Sequence, residues 1–135
     1  MKFVFIFLYL IFSLHVESNV ENCHKNMVAI QNNLALSRSI LKVHCVSKDD
    51  DLGDHFLRFQ DVAYNFSFHD SLLITRFKCI LWKGANLEYH QNFTAYQGGA
   101  YLKCGKFNSW DARDDGIFFS RNREPMKLMY IWDKY

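Results

Sequence analysis

A chain of 135 residues with a net charge of +2, half of it hydrophobic and 17% aromatic, holds enough apolar material for one buried core and no excess of either charge sign. Without a basic run or a basic helix, the charge balance gives no reason to expect nucleic acid or an anionic membrane as partner. Four cysteines, an even number in a small domain, point to two disulfides and an oxidising compartment.

At the N-terminus, Lys2 precedes an apolar block from Phe3 to Phe12 and then Ser13-Leu14-His15-Val16-Glu17-Ser18. This is the pattern of a secretory signal peptide over residues 1–18, leaving a single domain over 19–135. A membrane anchor is the weaker reading, because the block falls well short of the roughly 20 residues a bilayer requires. Its removal takes away one base and one acid, Lys2 and Glu17, so the net charge is unchanged.

After Cys23, Met27–Gln31 reads as a first strand broken by Asn32-Asn33, and a hairpin arm over residues 34–43 leads into the next. In Leu41-Lys42-Val43-His44-Cys45, Val43 and Cys45 share a face. Lys48-Asp49-Asp50-Asp51 must then end that strand, since adjacent carboxylates repel and resist burial; Gly53 supplies the turn. His55–Phe59 is a short strand. Val62, Tyr64, Phe66 and Phe68 alternate with Ala63, Asn65 and Ser67, which gives the next one a wet and a dry face. Further strands are expected over 72–82, 87–96, 100–107, 117–120 and 127–132, with a polar turn over 111–116. Eight or nine short strands with frequent turn signals and no amphipathic helix predict an all-β protein, a disulfide-stapled β-sandwich of two antiparallel sheets. A small closed barrel is the alternative.

Several motifs fall in order along the chain: the run from Val43 to Gly53, Tyr64-Asn65-Phe66-Ser67-Phe68, Phe77-Lys78-Cys79, Trp110 followed by Arg113-Asp114-Asp115-Gly116-Ile117, and Tyr130-Ile131-Trp132. Together they resemble the plant self-incompatibility S1 family, the S-protein homologues, over nearly the whole chain after residue 26. The resemblance implies a β-sandwich fold and a secreted, extracellular, non-enzymatic protein without cofactor that acts as ligand for a cell-surface receptor. The best understood members of that family are stigma-secreted determinants that meet a pollen surface receptor and arrest incompatible pollen. Two positions depart from the family pattern. Gln60-Asp61 stands where a turn glycine is common, and Asn108 where a further cysteine is frequent, with Cys23 supplying the fourth thiol.

Cys23, Cys45, Cys79 and Cys104 allow three disulfide pairings, and sequence alone does not choose among them. The preferred expectation joins Cys23 to Cys45 and Cys79 to Cys104, each tying the ends of neighbouring strands. Zinc is disfavoured, because the gaps between these cysteines are far longer than metal-ligand spacings. Asn65-Phe66-Ser67 and Asn92-Phe93-Thr94 are acceptor sequons, so Asn65 and Asn92 are candidate N-glycan sites in a secreted chain. The run Lys48, Asp49, Asp50, Asp51, Leu52, Gly53, Asp54 is the candidate partner-binding loop, with the 111–116 turn as a second exposed candidate. It fails the calcium-loop template, whose sixth and twelfth positions here are Asp54 and Gln60 instead of glycine and glutamate. His44 and His55 flank the acidic run, but nothing places them across a common cleft, and no nucleophile elbow or phosphate loop is present. Trp82, Trp110 and Trp132 read as core packing rather than a ligand wall. The rival functions are a secreted hydrolase or RNase and a membrane-active effector. A monomer is expected.

Overall fold

Short runs of alternating apolar and polar side chains, punctuated by turns, leave strands as the structure that can bury one face. In the computed structural model, which describes residues 23–99 and 101–135, ten strands form. They are β1 (Asn26–Asn32), β2 (Leu41–Val46), β3 (Asp51–Leu57), β4 (Tyr64–Phe68), β5 (Arg76–Lys83), β6 (Tyr89–Gln97), β7 (Phe107–Arg113), β8 (Gly116–Arg121), β9 (Lys127–Tyr130) and β10 (Asp133–Lys134). One sheet has the order β4-β1-β7-β8-β9 and the other β10-β6-β5-β2-β3. The expected signal peptide lies outside the described residues.

Val28 and Ile30 of β1, Leu41 and Val43 of β2, Leu81 of β5, Ala112 of β7 and Ile117 of β8 are fully buried between the sheets. Aromatic rings join the layers: Phe68 of β4 meets Phe77 of β5 at 4.6 Å, and Phe93 of β6 meets Trp110 of β7 at 4.4 Å between centroids. Trp110 is thus a core residue, its Nε1–H donating to the Ala95 carbonyl (3.1 Å). Truncating a side chain such as Leu81 to alanine in this core would cost roughly 2–5 kcal/mol.

The sandwich forms as expected, with differences in detail. The first sheet is mixed, because β1 runs parallel to β7 while every other described pairing is antiparallel. A parallel neighbour requires a crossover, and here the whole segment from β2 to β6 lies between the two strands. β7 occupies Phe107–Arg113, so residues 101–106 are a loop, and the expected polar turn at 111–116 contracts to two residues. Residues 72–75 also form a loop ahead of β5.

The disulfides pair Cys23 with Cys104 and Cys45 with Cys79, in place of the expected pairing. The consecutive cysteines Cys23 and Cys45 are not partners in space here, nor are Cys79 and Cys104. Cys45 and Cys79 lie directly opposite in the β2–β5 ladder, with Cα atoms 4.0 Å apart. Cys23 precedes β1 in the other sheet, where the parallel partner β7 brings residues 104–106 alongside; Gly105 N–H donates to the His24 carbonyl (2.8 Å). Asn108, at the departure from the family's cysteine pattern, is buried, and its amide donates to Ala95 O (2.9 Å).

Candidate recognition surface

The chain direction in the two sheets sorts the connections onto two ends. The β2–β3 turn, the β4–β5 loop, the β6–β7 loop and the Cys23–Cys104 bridge share one end. The β1–β2, β3–β4, β5–β6 and β7–β8 connections share the other.

At the first end the acidic run is only partly a loop. Ser47 to Asp50 make the turn, with Ser47 N–H donating to Asp50 O (2.8 Å) and Asp50 N–H to Ser47 Oγ (3.1 Å). Asp51, Leu52, Gly53 and Asp54 belong to β3, a correction to the reading of the run as one exposed loop. The β2–β3 register passes from His44↔Asp54 to Val46↔Asp51, so two residues of β3 oppose the single residue Cys45. Gly53, at φ 76°, takes the left-handed conformation that such a bulge demands. The consequence is geometric. Residues three apart in a regular strand face opposite ways, but the extra residue puts Asp51 and Asp54 on one outer face.

His44 stands between them. Its Nε2 lies 2.6 Å from Asp51 Oδ1 and its Nδ1 2.8 Å from Asp54 Oδ1, so both ring nitrogens meet a carboxylate. An imidazolium satisfies both with N–H donors; a neutral ring has only one to offer. Hydrogen bonds from the Gly53 N–H first, and then from His44, hold the Asp51 carboxyl below its ordinary value. Lys42 approaches Asp54 at 3.9 Å. His55 is on the other face of β3, stacked on Tyr64 at 4.0 Å, so the two histidines do not converge. No group of three or more His, Cys, Asp or Glu side chains among the described residues is arranged to hold a metal ion.

Across from the acidic turn runs the β4–β5 loop, and between them opens a cleft of about 700 Å³ whose walls include Val46, Lys48, Asp49, Phe68, Ile74 and Phe77. The loop is anchored by Asp70. Its Oδ1 accepts from Asn26 Nδ2 (3.0 Å) and from the Tyr96 hydroxyl (2.7 Å), and its Oδ2 accepts from Lys103 N–H (3.0 Å). One carboxylate thereby ties β1, β6 and the β6–β7 loop to the cleft wall. Burial, and then the hydrogen bond to Asp70, pushes the Tyr96 hydroxyl well above the ordinary tyrosine range. Sequence reasoning missed Asp70 and Asn26; a lone aspartate after a strand and an asparagine before one are locally indistinguishable from solvated turn residues.

The second candidate, residues 111–116, lies at the opposite end and does not join this surface. Asp111 is buried, bonding Arg113 Nε (2.7 Å) and Asn33 Nδ2 (3.1 Å). Asp114 accepts from the backbone N–H groups of Leu36 (2.8 Å) and Ser37 (3.2 Å). Burial pushes its carboxyl up, but these bonds and the nearby Lys83 outweigh that and hold it low. Both sequon asparagines are exposed, Asn65 on the edge strand β4 and Asn92 on β6, opposite Ile80 of β5. Trp132 donates from Nε1 to Arg113 O (2.8 Å), while Trp82 lies on the outer face under Lys42 Nζ at 4.5 Å; the three tryptophans form no common wall.

A two-sheet, disulfide-stapled sandwich with its connections sorted onto two ends defines a small extracellular β-domain. The family model for plant self-incompatibility protein S1 matches residues 27–132. The chain is 50% identical over 109 residues to S-protein homolog 8 of Arabidopsis thaliana, covering 80% of this chain and 81% of the relative. It is 47% identical over 118 residues to S-protein homolog 11 of the same plant, covering 85% and 82%. A solved SPH (Self-Incompatibility Protein Homologue) structure, from a family described as widespread, small, highly stable, secreted plant proteins, superposes with a TM-score of 0.68 at 28% identity, covering 83% of this chain and 97% of that one. The protein belongs to the plant self-incompatibility S1 family, and with it to the secreted proteins.

Proposed function

We propose that the protein is a non-enzymatic recognition ligand, released by cleavage of a signal peptide over residues 1–18 as a monomeric domain over 19–135, that engages a cell-surface receptor. The carrying observation is the end of the sandwich at which the acidic turn faces the cleft. Its turn residues Lys48, Asp49 and Asp50 make few bonds beyond the turn itself, while the bulge and the His44 clamp fix the strand beneath them. Such a surface can vary in side chain without disturbing its support. The family name associates such proteins with self-incompatibility, and rejection of incompatible pollen is one setting for the role. N-glycans on Asn65 and Asn92 would cover the outer faces of the two sheets and leave this end open.

Proximity labelling on intact plant cells with the folded, oxidised protein tests the reading, with an Asp49→Asn/Asp50→Asn variant as control. A receptor labelled by the parent and lost or strongly reduced with the variant is expected. Retention of every partner by the variant would exclude the acidic turn as the binding surface.

A further inference from the structure

The receptor-facing end carries a second feature that the acidic turn does not explain. Leu72, Leu73 and Ile74 follow one another at the tip of the β4–β5 loop with relative exposures of 94%, 73% and 67%. Tyr101 and Leu102 of the β6–β7 loop are 85% and 58% exposed. The two loops are held side by side: Asp70 accepts from Lys103 N–H, and Gly98 N–H donates to Thr75 O (2.7 Å). Within the first loop Ser71 Oγ donates to Leu73 O (2.6 Å) and Ser71 N–H to Thr75 Oγ1 (2.9 Å), so the backbone is closed on itself while the apolar side chains point away from it. Single exposed leucines are ordinary; a run of three exposed apolar residues, with two more on the loop braced beside it, marks a contact surface.

Charge around this tip is not balanced as the whole chain is. Lys25, Arg76, Lys103 and Lys106 belong to the segments that meet at this end, and none is ion-paired among the described residues; Lys48 stands with the acidic turn. Asp70 is turned inward onto its three donors, and the acids Asp49 and Asp50 stand on the far wall of the cleft. The near-neutral total therefore hides a cationic collar around an apolar wedge.

The geometry points to a lipid bilayer as what this wedge meets: Leu72, Leu73, Ile74 and Leu102 enter the headgroup–acyl boundary, with Tyr101 at the interface and the lysines and arginine on anionic headgroups. Interfacial binding scales with apolar area buried plus attraction to anionic lipid, and aromatic side chains with a polar tip favour the headgroup level. Side chains that protrude without neighbours suit a fluid medium that needs no matching shape; a protein hot spot requires a complementary pocket. Docked in this way, the protein rests on its β4–β5 and β6–β7 loops.

Flotation of the oxidised protein with vesicles tests this. Phosphatidylcholine vesicles containing about 30% phosphatidylserine should carry the protein up, pure phosphatidylcholine less, and about 0.5 M salt should weaken the anionic case. Leu72→Ser/Leu73→Ser/Ile74→Ser should reduce partitioning on the order of 100-fold while moving the melting curve little, since most of each side chain is exposed. Tyr101→Ser/Leu102→Ser, in the other loop, should reduce it independently and decides the matter should the triple variant fold poorly. Absence of partitioning by the parent, or partitioning by both variants equal to the parent's, would overturn the proposal. So would loss of cell capture by the variants with no vesicle binding by the parent, which would assign the wedge to a protein.

Discussion

Gly53 is the residue on which the geometry of the β2–β3 edge turns, and its replacement has a calculable effect. The position has φ 76°, and a Cβ built there meets no heavy atom within 4 Å. Substitution therefore carries no steric collision, only the backbone penalty for an L-residue in the left-handed region, roughly 1–2 kcal/mol. Gly53→Ala should lower the unfolding free energy by about that amount, and Gly53→Asn by less, because asparagine tolerates this conformation. Urea unfolding of the oxidised proteins, with equal slopes required for the comparison, reads the difference. A β-branched Gly53→Val should be worse than alanine. If alanine and asparagine cost the same, or if alanine costs nothing, Gly53 does not hold the bulge in solution. The reasoning then fails at its first step, and the shared face of Asp51 and Asp54 fails with it.

The two disulfides should separate in the opposite order to their loop lengths. For a separation of 34 residues the chain-entropy relation gives about 3.8 kcal/mol for Cys45–Cys79, and for 81 residues about 4.5 kcal/mol for Cys23–Cys104. Cys45 and Cys79 are buried in the core, so Cys45→Ala/Cys79→Ala adds a cavity cost, whereas Cys23 is exposed ahead of β1; denaturant midpoints should show the central pair costing more. Asp70→Ala, which strands three donors, should destabilise by about 3 kcal/mol and raise hydrogen exchange in both the β4–β5 and β6–β7 loops; a thermal shift without loop exchange would count against the anchor. The lowered Asp51 carboxyl contributes stability that is complete above the ordinary carboxylate range and is lost as pH falls through the folded value. The His44 ring resonances, followed by NMR, should respond in that same acid window, and the response should shrink in an Asp51→Asn variant to the part that Asp54 on Nδ1 supplies. The raised Tyr96 hydroxyl acts at the alkaline side: its contribution is full below about pH 10 and declines as the unfolded chain ionises first, so Tyr96→Phe should flatten the alkaline limb of the stability profile.

The sandwich was legible because its signal is local: Tyr64 to Phe68 and Leu41 to Cys45 alternate within a few residues, and such alternation reports which face is dry, although Val62, expected on that face, lies before β4 and is exposed. Pairing is not local. Nothing near Met27 announces that β1 will lie parallel to β7, some eighty residues on, and with that partner unknown the disulfide of Cys23 could not be assigned. Gly53 was visible as a glycine needing unusual backbone angles, yet a turn and a bulge use the same angles; only the register against β2 distinguishes them. Asp111 illustrates the converse error. Its neighbours Arg113, Asp114 and Asp115 give it the composition of a solvated turn, but it is buried because Arg113 of the same strand and Asn33, brought alongside by the β1–β7 pairing, neutralise and bond it.

The polar groups at the two ends are spent differently, and this bears on where recognition can evolve. Away from the cleft, side chains close the connections onto one another: Asn32 Nδ2 donates to Ser39 O (2.9 Å) and Leu57 O (2.8 Å), Gly84 N–H donates to Ser39 Oγ (2.8 Å), and Asp114 caps the backbone of Leu36 and Ser37. A substitution there strands a partner and costs stability. At the cleft end the supporting roles fall to Gly53, Asp70, Asn26 and the two bridges, while the side chains of Lys48, Asp49, Leu72 and Tyr101 are largely exposed. Selection acting on partner choice can therefore change those side chains at little energetic cost. That freedom is what a small secreted sandwich needs if one scaffold is to serve many different recognition events.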